Sequence, residues 1–274
     1  NFNSTENLST IKALMESTGY PITDYHNSSS ECSVSNRPTL PADVGNDGTT
    51  DDAKGLIDFI KGADYFDYDG DCNIKEVRDS VMGDVYHSQL IEVGPPEANL
   101  DFSATNEEAY FRATNNYQGF ISSNASRQNI VYAGSNSGVL HAIDSITGDE
   151  VWGFIPPFVI TNLPQLMNLS YDGNVDGAKG GSNPIFGVDG SPVVHDVFIT
   201  AIKANGETES TKSWRTILFV PYGRGGAGFS VLDVTKATEP VHMFSVFNDA
   251  INKNILVADA VGNIEPYPYN SGSA

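Results

Sequence analysis

The residue types best suited to chemistry lie together in one acidic stretch before residue 80. Asp67, Asp69 and Asp71 occupy alternate positions, and Asn73 and Glu76 follow them. Calcium takes several oxygen ligands at about 2.4 Å, and alternating carboxylates followed by a backbone carbonyl can supply them from one tight loop. The spacing therefore predicts a Ca²⁺ site whose ligands come from Asp67, Asp69, Asp71, Asn73 and Glu76.

The same stretch departs from the EF-hand pattern at two positions. An EF-hand loop that begins at Asp67 needs glycine at its sixth position, where Cys72 stands, and glutamate at its twelfth, where Arg78 stands. Closure of the ligand set would therefore depend on Glu76 or Asp79. The alternative interpretation is a solvated acidic loop that binds no ion.

Two cysteines, Cys32 and Cys72, are the other candidates for covalent or metal chemistry. In an oxidising compartment they could close a loop of about 40 residues, which would stabilise the fold by about 4 kcal/mol on the chain-entropy model. A zinc site needs more ligands, and His26 alone does not complete one. A disulfide and two free thiols both remain open.

No pattern in the chain predicts a catalytic centre. The glycine-rich run at 222–228 is followed by a predicted strand, so it offers no helix N-terminus to a phosphate. His195 and Asp196 lie near Ser191, but neighbouring residues of a strand point to opposite faces and cannot form a triad. We therefore predict that the protein is not an enzyme.

Charge narrows the classes of partner. The chain has 274 residues, with 15 Lys and Arg against 35 Asp and Glu, so its formal charge is −20. Nucleic acids and anionic membranes attract positive surfaces, which makes both poor partners and leaves cations and basic protein surfaces. The longest apolar runs, such as 217–221, have the length of a strand and are too short to span a membrane. The polar opening, which begins without Met, is expected of an exported protein whose signal was removed or lies upstream.

The elements that must position these residues change character near residue 80. Helices are predicted at 7–18 and 51–61, with a Pro/Gly/Asp linker at 38–50. After that, short apolar runs separated by turn formers predict strands at 85–93, 130–133, 139–143, 151–154, 188–198, 216–220, 228–234, 242–246, 255–258 and 263–267. The intervening 95–128 and 159–184 are expected to be surface loops.

Recurring strand units indicate the architecture. Residues 129–144 and 254–264 share a strand, a turn that contains glycine and a second strand. Such recurrence is typical of a β-propeller, and three to four four-stranded units would fit after residue 80, fewer than most closed propellers need. We predict an all-β fold, a partial or modified quinoprotein-like β-propeller over 81–274, preceded by an irregular, partly helical segment over 1–80.

One motif supports the propeller prediction. Residues 142–152 match the tryptophan-docking pattern of quinoprotein-type propellers, with Asp144 and Gly148 at the turn and Trp152 as the packed indole. Its predicted role is structural. The enzyme alternative, a fragment of a pyrroloquinoline quinone dehydrogenase, lacks a vicinal cysteine pair and enough chain for eight blades.

Several segments together resemble one family, the C-terminal propeller of the PilY/PilC proteins of the type IV pilus tip. They occur in the family's order over roughly residues 50–240, and they are the segments 56–62, 78–88, 131–141, 188–192, 214–218, 223–228 and 232–235. Residues 131–141, for example, read Val-Tyr-Ala-Gly-Ser-Asn-Ser-Gly-Val-Leu-His and are similar to the family's V-Y-V-G-A-N-D-G-M-L-H.

This resemblance implies a non-enzymatic role in pilus assembly and surface adhesion. The implied partners are minor pilins at the pilus tip and a host or abiotic surface, and the implied location is the cell surface after passage through the periplasm. It also implies regulation of the pilus by calcium, although Lys75 stands where the family's calcium loop has its last carboxylate. The alternative is an extracellular propeller that binds another protein without any pilus.

Overall fold

Two short helices precede the strands, as the sequence predicts. The computed structural model describes residues 7–16, 50–64, 76–102, 106–168, 181–183 and 185–269. Helix α1 spans Leu8–Glu16 and helix α2 spans Thr50–Ile60. Their apolar faces bury Met15 and Leu56 against Leu163 of the 3₁₀ helix Ile160–Gln165. This core ties the helices to a segment that follows the first sheet.

Helix α2 ends at a glycine because its last turn needs a left-handed residue. Gly62 has a φ of 105°, and the Ala63 amide donates to the Asp58 carbonyl over 2.9 Å. The Gly62 amide donates to Phe59, which completes a Schellman motif. The chain is thereby turned out of the helix toward the acidic stretch.

The first sheet is antiparallel and four-stranded. It consists of β1 (Ile91–Val93), β2 (Ile130–Gly134), β3 (Leu140–Asp144) and β4 (Glu150–Phe154), in the order β1-β2-β3-β4. Its three long strands confirm the predicted strands at 130–133, 139–143 and 151–154.

The remaining strands form a two-stranded and a six-stranded sheet. A short pair, β5 (Met167–Asn168) and β6 (Gly181–Ser182), precedes a meander of β7 (Val193–Ile199), β8 (Ser213–Pro221), β9 (Gly228–Asp233), β10 (Val241–Asp249), β11 (Asn254–Asp259) and β12 (Ile264–Pro268). All pairs within the meander are antiparallel. Because the hairpin β11–β12 adds directly to β10, the described strands after residue 190 form one sheet and not repeated four-stranded units.

Alternate residues of the two large sheets share one core. Ile130 and Leu140 of the first sheet are fully buried in the same apolar cluster as Leu218 and Leu232 of the second. The two-residue spacing of buried positions is the pleat of a strand with one face inward. The fold is mostly β, as predicted.

The expectation that 95–128 is a surface loop is wrong. It contains helices α3 (Glu107–Thr114) and α4 (Tyr117–Ser123), and the Asn106 carboxamide caps α3 by accepting from the Ala109 amide over 3.1 Å. Tertiary contacts explain the difference, since Tyr117 is fully buried and the Trp214 indole donates to the Asn115 carbonyl over 2.8 Å. Such contacts are invisible to local patterns.

Three other boundaries differ from the prediction. The strand expected at 85–93 is reduced to β1, the strand expected at 188–198 begins at Val193, and 159–184 contains the 3₁₀ helix and the β5–β6 pair. The missing strand portions are held by side-chain contacts and isolated backbone hydrogen bonds in place of a ladder, as described below. Within the described ranges, no helix is long and apolar enough to cross a bilayer.

Candidate functional site

Most residues of the predicted calcium site fall in the part of the chain that is not described. Asp67, Asp69, Asp71 and Asn73 lie outside the described residues, as do Cys32 and Cys72. Glu76 is described and is partly buried. The chain comes together on either side of the loop, because the Asp64 amide donates to the Glu76 carbonyl over 2.8 Å and Ala63 forms a β-bridge with Val77.

The paired residues 63–64 and 76–77 form what we call the neck. Arg78 binds this neck to the end of helix α2. Its guanidinium donates to the carbonyls of Phe59 and Ala63, the second over 3.2 Å. It also donates to the carbonyls of Ser80 over 2.8 Å and Val81 over 3.1 Å. The carbon of the guanidinium lies 4.3 Å from the centre of the Phe59 ring, a cation–π distance. One side chain thus bonds carbonyls on both sides of the acidic loop.

Four of the seven segments that carry the family resemblance meet in one place, which we call the motif junction and define as residues 83–91, 134–139, 187–191 and 222–226. The Asn136 amide donates to the Asp84 carbonyl over 2.9 Å, and the Asn136 carboxamide donates to the Asp84 carboxylate over 2.8 Å. The Ser88 hydroxyl accepts from the Gly134 amide over 3.1 Å. One backbone bond and two side-chain bonds therefore hold residues 84–88, where the sequence predicts a strand from residue 85 onward.

A second set of contacts joins the junction to the six-stranded sheet. His87 Nδ1 lies 2.9 Å from a carboxylate oxygen of Asp189, whose side chain is only 2% exposed. The Val188 amide donates to the Ser135 carbonyl over 2.9 Å, and the Asp189 amide to the Tyr222 carbonyl over 3.1 Å. The junction therefore connects both large sheets.

The glycine-rich run at 222–228 is a turn between β8 and β9, as the sequence analysis favours. Gly223–Gly225 forms a short 3₁₀ turn, and a Cβ at Gly225 would lie 1.7 Å from the Gly187 carbonyl oxygen. The glycine is therefore required by close backbone packing within the junction, and phosphate binding is not needed to explain it.

A serine, a histidine and a glutamate line up beside the junction. His141 Nε2 lies 3.2 Å from the Ser135 hydroxyl, and His141 Nδ1 lies 2.6 Å from Glu150. The hydrogen bond from His141 lowers the pKa of the Glu150 carboxyl. Ser135 is fully buried and also hydrogen-bonds the Val139 carbonyl over 2.9 Å, so it cannot reach a substrate. The arrangement resembles a triad in its distances only.

The other serine, histidine and aspartate considered from the sequence do not meet. Asp196 accepts hydrogen bonds from Tyr117 and, over 2.6 Å, from Thr216. Ser191 accepts from the Gln89 amide over 3.1 Å, while His195 is exposed on its strand. Asp196 therefore binds Tyr117 of α4 and Thr216 of β8. The sequence did not predict this contact, because these partners lie far from Asp196 in the chain.

The tryptophan-docking residues lie at the β3–β4 turn and its far end. Asp144 accepts from the amides of Ile146 over 2.7 Å and Thr147 over 3.0 Å, which lowers the pKa of its carboxyl, and Gly148 has a φ of 78°. The Trp152 indole donates to the Ala237 carbonyl over 2.8 Å. That bond joins the first sheet to the segment after β9.

A cavity of about 760 Å³ adjoins the neck and the junction. Its polar wall includes Asp64, Glu76, Asp84 and Asn136, and its apolar wall includes Phe59 and Leu166. Within the described residues, no three acidic, cysteine or histidine side chains come together as a metal site. The arrangement can accept hydrogen bonds from a ligand that carries donors and positive charge.

Comparison with known proteins identifies the family. A family model described as the PilY1 beta-propeller domain matches residues 82–254. The type IV pilus biogenesis factor PilY1 of Pseudomonas aeruginosa strain UCBPP-PA14 is 34% identical over 187 residues, covering 68% of this chain and 14% of that protein. A PilY1 homologue of Xylella fastidiosa is 31% identical over 159 residues, covering 58% of this chain and 11% of that protein.

A solved structure, the Pseudomonas aeruginosa PilY1 C-terminal domain, matches 66% of this chain and 38% of its own with 21% identity and a TM-score of 0.38, which is too low to support an argument. The chain spans less than a sixth of the length of the two curated relatives above. The family match covers the junction, the first sheet, strands β7 to β10 of the six-stranded sheet and the tryptophan-docking turn, and it confirms the resemblance expected from the sequence. The chain therefore belongs to the PilY1 beta-propeller domain family.

Proposed function

We propose that this chain acts in type IV pilus biogenesis as a non-enzymatic scaffold at the pilus tip. The observation that carries the proposal is the family match over residues 82–254. The relatives support it, since both are type IV pilus biogenesis factors by name. The buried state of Ser135 and the engagement of Asp196 are consistent with a scaffold that carries out no reaction.

The proposed partners are minor pilins, and the proposed location is the exported pilus tip, where the protein would also contact host or abiotic surfaces. A pull-down of each cognate minor pilin by the purified chain tests this assembly role. We expect at least one minor pilin to be retained. Failure with every cognate minor pilin, while the chain remains folded by circular dichroism, would contradict the proposal.

A genetic experiment tests the role in the cell. Deletion of the segment that encodes residues 82–254, in the host from which the gene comes, should reduce sheared surface pili, and a plasmid copy should restore them. Full piliation in the deletion strain, once loss of the segment has been verified, would contradict the assignment.

We further propose that Asp67, Asp69, Asp71, Asn73 and Glu76 bind Ca²⁺ and that the ion regulates the pilus. The oxygen chemistry of these side chains supports the proposal. Support also comes from the neck, since the Asp64–Glu76 backbone bond brings the two ends of the loop together. A closed neck lowers the entropy lost when the loop wraps around an ion.

Calorimetric titration with Ca²⁺ tests the site separately from the pilus role. We expect one ion to bind and to raise the melting temperature, because a ligand of the folded state at about 100 times its Kd stabilises by about 2.7 kcal/mol. The triple variant D67N/D69N/D71N should lose both effects. A matched variant, E97Q/D101N/E107Q, removes three charges elsewhere and should keep them. An unchanged melting temperature of the parent chain at millimolar calcium would contradict the site.

A further inference from the structure

The cavity beside the motif junction has two kinds of wall. Among the described residues that line the cavity, the acidic wall has four carboxylates, those of Asp64, Glu76, Asp79 and Asp84, and Arg78 carries the one guanidinium. That guanidinium is held by backbone carbonyls and the Phe59 ring, so it is oriented toward the neck. The excess of carboxylates gives the cavity a negative potential that attracts cations.

The other wall is apolar and partly open to solvent. Phe59, Leu166 and Ile185 line the inside, while Val77 and Met82 at the rim are 74% and 39% exposed. Clustered apolar side chains that face solvent beside a polar rim are typical of interaction sites. The volume of about 760 Å³ lies in the range of ligand pockets and would hold a few side chains.

An acceptor in this cavity lacks a donor. Asn136 is 6% exposed, and its side-chain oxygen accepts no hydrogen bond from the described part of the chain. Its amide nitrogen is already used by Asp84 Oδ2 over 2.8 Å, which fixes the carboxamide with the oxygen available. A buried acceptor without a partner destabilises the fold, so a donor from a ligand would offset that cost. Asp84 Oδ1, the second oxygen of the same carboxylate, makes no hydrogen bond to the described residues.

These features fit an organic cation better than a metal ion. A metal ion needs several ligands around one point, and the described residues bring together no three acidic, cysteine or histidine side chains in that way. An ammonium or guanidinium group has several donors and an apolar stem, which can lie along Phe59 and Leu166. We propose that this cavity is a docking site for a partner protein segment that inserts a Lys or Arg side chain flanked by apolar residues. The proposal concerns the isolated chain and does not depend on a pilus role.

Fluorescence anisotropy with the labelled peptide Ala-Leu-Lys-Leu-Ala tests the proposal on the full chain. We expect saturable binding that weakens with salt and is lost when norleucine replaces the lysine. The variant D84N keeps an acceptor for Asn136 and removes the charge, so it should bind at least about tenfold more weakly. The matched variant D101N removes a charge outside the cavity and should bind within about twofold of the parent.

Three results would overturn the proposal. The first is equal binding of the lysine and norleucine peptides, and the second is an equal loss in D84N and D101N, which would indicate nonspecific attraction. The third is a calcium ion that binds stoichiometrically, displaces the peptide and is lost in D84N, which would make the cavity a metal site. Should D84N fail to fold, D79N gives the same comparison, because Asp79 is exposed and lines the same cavity.

Discussion

Single side chains connect backbone segments that do not pair as strands of a sheet. Arg78 bonds four carbonyls, on helix α2 and on the chain after the acidic loop. Asp84 and Asn136 join the junction by two hydrogen bonds. These residues lie in the segments that carry the family resemblance, so the resemblance marks structural contacts of this kind.

Replacement of Arg78 by lysine should destabilise the fold by about 1–3 kcal/mol, because an ammonium cannot reach carbonyls on both sides of the neck. Urea denaturation would measure the loss as a lower midpoint with an unchanged slope. The matched variant R112K alters an exposed pair with Glu108 and should cost about 0.5 kcal/mol or less. Equal midpoints for R78K and the parent would contradict this role of the Arg78 guanidinium.

The buried environment of His242 predicts that the fold loses stability in acid. It belongs to a buried chain of hydrogen bonds in which its Nε2 lies 2.8 Å from Ser245, Ser245 lies 2.7 Å from Ser230, and Ser230 lies 2.8 Å from Tyr222. Burial lowers the pKa of His242 and raises the pKa of Tyr222 to about 12. Below about pH 6.5 the unfolded chain therefore takes up a proton that the folded chain resists.

The free energy of unfolding should therefore be insensitive to His242 well above about pH 6.5. Below that pH it should fall as the pH falls, by at most about 1.4 kcal/mol per pH unit from this one group. Urea midpoints between pH 5 and 8 would show the fall, and H242Q should flatten it. The exposed His195 provides the control, because H195Q should leave the profile of the parent unchanged. A slope that persists undiminished in H242Q would assign the acid sensitivity to other groups.

At the scale of elements, side chains from one strand or helix bond backbone carbonyls of another. Helices α3 and α4 are attached to the six-stranded sheet by Trp214 and Tyr117, whose rings pack 4.7 Å apart. The turn after β3 places Trp152 against Tyr132, with ring centres 5.5 Å apart, and against the segment after β9. Both tryptophans donate to carbonyls outside their own hairpins.

Replacement of Trp152 by phenylalanine should cost about 1–3 kcal/mol, because the Ala237 carbonyl, on a residue only 8% exposed, would lose its donor. Thermal unfolding would report a lower midpoint. The control Y86F alters an aromatic side chain that is 69% exposed and should leave the midpoint unchanged. Equal midpoints for W152F and Y86F would mean that the indole acts only through its ring.

At the scale of the whole molecule, strand β12 forms one edge of the six-stranded sheet, no described strand pairs with its outer side, and its prolines block that side chemically. The amide of Tyr269 donates to the Lys253 carbonyl, and the amide of Asp259 donates to the Asn263 carbonyl. In this register the backbone amides and carbonyls of odd-numbered β12 residues point toward β11. The even-numbered positions therefore face outward, and two of them are Pro266 and Pro268. Proline has no amide hydrogen, so this edge cannot donate there to an added strand.

The double variant P266T/P268T should restore outward donors and allow strand pairing between chains. Light scattering after size exclusion should then show a larger mass that grows with concentration, relative to the parent. The control P95T changes an exposed proline in the loop after β1 and should behave as the parent does. A parent-like mass for the double variant would contradict the role of the prolines.

The local sequence was sufficient for helices α1 and α2, most strands, the turns and the family. Periodicity of two or of 3.6 and turn-forming residues are local signals, which is why β2–β4 and β8–β12 lie close to their predicted places. The helices at 107–123 were missed because Tyr117 and Trp214, which hold them, are partners far apart in the chain.

Only the tertiary structure decided which of these segments meet. Asp84 contacts Asn136, His87 contacts Asp189, and acidic and apolar residues line one cavity because packing brings distant segments together. The sequence by itself determined the −20 charge and the chemistry of the loop at 67–76. The cavity beside that loop depends on long-range contacts, since its lining combines Phe59 of helix α2, residues 76–84, Asn136 and Leu166.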